Sequence, residues 1–147
     1  MIFDPTIITD HLDDIGSGFL VTLGTWSSGV VLGIALGMLI AVAQIFGNTF
    51  VRAPLRVFIE LIRSTPFLVQ LFLLYYGGPS FGLSLDPIPA GILGLVVYGS
   101  VYFAEIFRSG FESVARGQLE AADCLGITRL QCIWRIQVPQ VVRATLQ

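Results

Sequence analysis

No charged residue interrupts the chain between Ile15 and Val51. A run that long cannot be buried in a soluble domain of this size, and crossing a bilayer takes roughly 20 predominantly apolar residues. Two more uncharged windows follow, Ser64 to Leu85 and Pro87 to Ala104. The whole chain is 54% hydrophobic and 12% charged, with a mean hydropathy of +0.82. Soluble domains carry about 25% charged residues. The expected class is an all-α integral membrane protein, with spans at about 19–46, 55–77 and 88–107. The first window is not a cleavable signal peptide. Asp4, Asp10, Asp13 and Asp14 precede it where a signal carries positive charge.

The basic residues orient these spans. All 8 are arginine and there is no lysine. Arg52, Arg56 and Arg63 follow the first span; Arg108, Arg116, Arg129, Arg135 and Arg143 follow the third. The N-terminus and the 77–89 loop hold only acids. With the N-terminus outside, every arginine lies on or near the cytoplasmic side, as the positive-inside rule requires. Absence of lysine also excludes a Walker A ATPase and a Schiff-base enzyme within this chain. A net charge of −2 gives no reason to expect a nucleic-acid partner. One histidine, His11, and two cysteines, Cys124 and Cys132, form no metal-ligand or redox spacing. No cofactor or metal is expected. Glu60, Glu105 and Glu112 supply acid–base groups, but no nucleophile accompanies them.

Within the spans, Gly29, Gly33, Gly37 and Ala41 recur every four residues and predict close helix packing. Thr65-Pro66 predicts a kink or a helix restart. Gln70 needs hydrogen-bond partners, either as glue between helices or as lining of a polar path. Ala90, Gly94, Tyr98 and Tyr102 share a face that Glu105 continues. That face serves either packing, slightly favoured by its small and aromatic residues, or a pathway. Arg63 lies at the entrance of span two, three residues after Glu60.

Beyond Arg108 the chain turns polar. Gly117 to Leu125 reads as a short helix that Gly126 ends. Thr128 and Gln131 form a capping box for a second helix running toward Val138, with Pro139 as a break or kink. Glu120, Ala121 and Ala122 suit a docking surface: the alanines let a partner reach the backbone, and the carboxylate meets a cation.

Three segments carry a family resemblance: Arg63 to Phe72, Tyr102 to Gly110, and Arg116 to Gln140. They resemble the permease subunits of ATP-binding-cassette importers, in the polar amino acid uptake branch with the type I importer fold. Departures are Ser64, Ala115 and Val138, where Gly, Pro and Leu are usual. The resemblance implies a permease that translocates a polar amino acid across a bacterial inner membrane and catalyses no chemistry itself. It implies cytoplasmic ATPase subunits, a second permease subunit (identical or different), and a periplasmic or lipid-anchored binding protein as partners. Gly117, Gln118, Glu120, Ala121, Ala122 and Gly126 become ATPase-docking residues on a cytoplasmic coupling loop at about 109–139. Arg63, Thr65, Gln70, Tyr98, Tyr102 and Glu105 are translocation-path or packing candidates. Such permeases have about five spans, so residues 1–147 read as one C-terminally incomplete transmembrane domain. The competing reading is a small membrane channel or scaffold with a cytoplasmic partner-binding loop.

Overall fold

The computed structural model describes residues 11–145. Asp4, Asp10 and Gln147 lie outside them. The described residues form an all-helical membrane bundle without strands. Helix α1 (Leu12–Phe46) and helix α4 (Pro87–Ser113) are long and apolar enough to cross a membrane. Between them lie α2 (Thr49–Ser64) and α3 (Phe67–Phe72), the latter prolonged by a π turn (Leu73–Gly77) and a 3₁₀ turn (Gly78–Phe81). After α4 come α5 (Arg116–Cys124), α6 (Arg129–Cys132), a second π turn (Ile133–Gln137) and α7 (Val138–Thr145).

The small-residue ladder is the contact face of α1. Gly29, Gly33, Gly37 and Ala41 are all buried, and α1 packs along α4. At Gly37 the approach is closest. A Cβ there would lie 2.6 Å from Phe103 Cβ and 2.8 Å from the Ser100 carbonyl. Ala41 continues the face into a cluster with Phe107 and Phe111 of α4 and Val141 of α7. A second cluster joins Ile40 of α1 and Ile59 of α2 to Val101 and Ala104 of α4.

Residues 55–77, expected to form one span with a kink or restart at Pro66, fall on two helices. Helix α2 and the rod from Phe67 to Phe81 meet at 106°. Only if that bent pair counts as one span are there three candidate spans among the described residues. The break was expected at Pro66, but its size was not. Proline pushes its predecessor out of helical space, and Thr65 is extended, with φ −110° and ψ 131°. Helix α2 carries three faces. Leu55, Ile59 and Ile62 pack on the core. Arg52, Arg56, Glu60 and Arg63 form a charged stripe, and Phe50, Val57 and Leu61 point outward, 90%, 60% and 62% exposed.

Of the break or kink expected at Pro139, there is no break. The chain stays helical from Arg129 to Thr145, widening into a π turn immediately before the proline. The missing N–H and the bulky ring are taken up by that wider turn rather than by a break.

Gly37→Ala is expected to destabilise the protein by about 1–3 kcal/mol, because backbone and Cβ atoms block the added methyl. Gly33→Ala is expected to be neutral or mildly stabilising, since the nearest atom to its added Cβ is 3.5 Å away. Thermal unfolding in detergent micelles measures both; equal losses would contradict this packing.

Candidate functional site

Two regions collect the residues singled out from the sequence. The first is the segment after α4. Val114 and Ala115 are extended, so the chain turns out of α4 before α5 begins. Helix α5 closes on a Schellman motif: Ile127 N–H donates to Ala122 O at 3.1 Å, and Gly126 N–H to Asp123 O at 3.0 Å. Gly126 takes φ +70°, a left-handed conformation that costs glycine little. Only Ile127 separates this cap from the next. Gln131 N–H donates to Thr128 Oγ1 at 3.4 Å, and Thr128 N–H to Gln131 Oε1 at 3.2 Å, a capping box. Two opposed caps therefore fix the turn between α5 and α6.

Gly117, Gln118, Glu120 and Ala121 are exposed, whereas Ala122 is 2% exposed and faces this chain's own interior. The two alanines thus have different surroundings. Ala121 leaves the backbone of α5 open beside Glu120, and Ala122 allows α5 to sit close to the bundle. Gln140 Nε2 donates to Gln118 Oε1 at 2.7 Å, tying α5 to α7. Helix α7 in turn buries Val141 against Ala41, Phe107 and Phe111. That one exposed side-chain bond links α5 to the helix that packs on α1 and α4. Leu125 and Leu130 flank the exposed face of α5, 77% and 65% exposed. The sequence reading did not single these leucines out. Apolar residues bordering a capped turn in a polar segment were the available signal.

The second region is a polar cavity of about 480 Å³ between the end of α1, the charged stripe of α2 and the end of α4. Arg108 donates to both oxygens of Glu105, at 3.3 and 3.1 Å, and to Glu112 at 2.7 Å. Arg63 reaches Glu105 at 3.9 Å, linking α2 to α4. Arg52 spends its guanidinium on backbone. It donates to the carbonyls of Gln44 (2.8 Å), Ile45 (3.1 Å) and Gly47 (3.3 Å) at the C-terminus of α1. A cation there satisfies orphan carbonyls and suits the negative end of the helix dipole. From sequence, Arg52 and Arg56 served only to orient the spans, Glu112 was named only as an acid–base group, and Gln44 was not picked. The three- and four-residue spacing of 52, 56, 60 and 63 already placed those four on one helix face.

The remaining candidates divide. Gln70 bonds the corner: its Nε2 donates to the Ile62 and Thr65 carbonyls, both at 2.7 Å, and the Ile62 carbonyl otherwise accepts only a long 3.4 Å bond from Thr65 N–H. Thr65 Oγ1 donates to Leu61 O at 3.0 Å within the same corner. On α4, Gly94 faces Phe67 and Leu71, and Tyr98 lies against Phe67 with ring centroids 5.2 Å apart. Tyr98 Oη donates to Tyr102 Oη at 3.1 Å. The upper part of that stripe is therefore a packing face toward α3, and its lower end, at Glu105, meets Arg63 in the cavity.

The family model of the binding-protein-dependent transport system inner membrane component matches residues 33–146. The probable amino-acid ABC transporter permease protein YckA of Bacillus subtilis (strain 168) is 32% identical over 99% of this chain and 64% of its own length. The probable glutamine ABC transporter permease protein GlnM of the same organism is 34% identical over 96% of this chain and 65% of its own length. The L-cystine transport system permease protein TcyB, also from that organism, is 30% identical over 90% and 56%. The chain thus spans 56–65% of the length of these relatives. A crystal structure of an amino acid ABC transporter with histidines superposes with a TM-score of 0.85 at 33% identity, covering 99% of this chain and 68% of that one.

Proposed function

Because this chain belongs to the family of binding-protein-dependent transport system inner membrane components, we propose that it acts as a permease subunit of an ATP-driven amino acid importer. Residues 109–139 are its coupling loop. The observation that carries the coupling assignment is the exposed Glu120–Ala121 face, held by two opposed helix caps and linked to α7 by the Gln140–Gln118 bond. A partner that moves α5 moves α7 with it, and the packing of Val141 passes that displacement to the long helices. Gly117 and Gln118 extend the docking face, Gly126 fixes its end, and Ala122 seats it.

These 147 residues hold no lysine and so no Walker A loop, which supports assigning ATP hydrolysis to an associated cytoplasmic ATPase. A second permease subunit completes the translocation path, and an external binding protein delivers the amino acid. The arginine distribution supports an inner-membrane orientation with the N-terminus outside and α5 in the cytoplasm.

Co-expression with the ATPase subunit encoded beside it tests the coupling. Glu120→Lys is expected to reduce co-purification of the ATPase by about tenfold or more, the loss of a charge-assisted contact made repulsive. Undiminished association would remove Glu120 from the docking face. Orientation is tested in a Cys124→Ser, Cys132→Ser background. Ser84→Cys is expected to react with an impermeant thiol reagent added outside spheroplasts, and Thr128→Cys to stay unlabelled; the reverse pattern would invert the topology.

A further inference from the structure

Helix α2 is tied at both ends to one side of the bundle. Helices α1 and α4 run parallel: Gly29 meets Leu95, Gly33 meets Ser100 and Gly37 meets Phe103. Their C-terminal ends therefore emerge at the same membrane face. Arg52 fastens the start of α2 to the last carbonyls of α1, and Arg63 reaches Glu105 in the C-terminal part of α4. A helix held at both ends to one side does not cross. Its 16 residues would also reach only about 24 Å, short of the ~30 Å hydrocarbon core. The return crossing between α1 and α4 is left to the segment that begins at Phe67, beyond the 106° corner.

The sides of α2 meet different surroundings. Leu55, Ile59 and Ile62 pack on the core. Phe50, Val57 and Leu61, seven and four residues apart, share the outward side and stand exposed. Arg52, Arg56 and Arg63 share the polar side with a single acid, Glu60, which leaves that side cationic. Arg52 and Arg63 are engaged as above. Among the described residues, no hydrogen bond or ion pair engages the exposed Arg56 side chain. We propose that α2 is an interfacial helix whose partner is the phospholipid of the leaflet at which α1 and α4 end. Phe50, Val57 and Leu61 lie among acyl chains, and Arg56 donates to a headgroup phosphate. A helix with apolar residues on one side and arginines on another lies in the plane of a membrane surface. A guanidinium presents paired donors that fit a phosphate, and its long stem lets the charge rise to headgroup level from beside Val57. Helix α2 keeps this position whether or not α5 docks an ATPase.

The test places the full chain, in a Cys124→Ser, Cys132→Ser background, in phospholipid nanodiscs with a spin label at single cysteines along α2. Collision with oxygen, which concentrates among acyl chains, is compared with collision with a water-soluble nickel chelate. Phe50→Cys, Val57→Cys and Leu61→Cys are expected to meet oxygen several-fold more than nickel, and Glu60→Cys the reverse, so that the preference alternates with the helical turn. A preference for oxygen that climbs steadily along α2 would mark a crossing helix and overturn the proposal. Protection of the three apolar positions from both agents would mark a protein occupant and overturn it as well. The phosphate contact is read by native mass spectrometry of the full chain in detergent. Dioleoylphosphatidylglycerol is the probe, and dioleoylglycerol, which lacks the phosphate, is the control. The probe is expected to be retained about tenfold more than the control. Arg56→Gln is expected to reduce that retention by about threefold to tenfold, the loss of one charge-assisted contact. Arg56→Lys, which keeps the charge, is expected to hold most of it. Retention that Arg56→Gln leaves unchanged, or that dioleoylglycerol matches, would overturn the headgroup assignment.

Discussion

The contact of α1 with α4 at Gly37 is the constraint from which the rest of the bundle is built. In lipid there is no hydrophobic drive between helices, so association depends on how closely backbones approach. Gly37 brings α1 against the Ser100 carbonyl and the Phe103 Cβ, and Ala41 extends that fit one turn further. Once α4 is held there, its other faces are committed. Gly94 and Tyr98 receive Phe67 of α3, Val101 and Ala104 receive Ile59 of α2, and Phe107 and Phe111 receive Val141 of α7. The exposed face of α5 is thus positioned by contacts made on helices that precede and follow it.

Satisfaction of backbone polar groups is the second organising requirement. Every helix end at a membrane surface leaves orphan carbonyls or amides, and leaving them buried and unpaired costs about 1–3 kcal/mol each. This chain answers with side chains drawn from neighbouring segments. Arg52 closes the end of α1, and Gln70 closes the corner after α2. The turn between α5 and α6 is closed by Gly126 on one side and by Thr128 with Gln131 on the other. The sharp 106° corner is tolerable because Gln70 reaches back across it.

Local signals in the sequence were sufficient for the packing ladder of α1 and for the turn between α5 and α6. The four-residue ladder, the Gly126 stop and the Thr128–Gln131 box each depend on side chains close in sequence, and each is present in the structure. What escaped depends on distant chain. Whether a proline bends a helix slightly or folds it through a right angle depends on what the two halves pack against, here α4 on both sides of the corner. Which of Ala121 and Ala122 faces outward is decided by how α5 lies on the bundle, and the Gln140–Gln118 bond that fixes it comes from α7. The charged stripe of α2 was legible as a face, but the cavity it lines required the opposing carboxylates of α4 and the buried end of α1. Gln70 stood open between glue and pathway because sequence does not show which carbonyls a break will free.

The central claim is that α5 presents Ala121 to a soluble ATPase while Ala122 is turned into this chain. Site-specific photo-crosslinking at adjacent positions measures this most directly. A photoreactive benzophenone side chain replacing Ala121, in protein co-expressed with its ATPase subunit, is predicted to give an intermolecular adduct. The same group replacing Ala122 is predicted to give adducts within this chain only. Adducts to the ATPase from Ala122 and none from Ala121 would contradict the account.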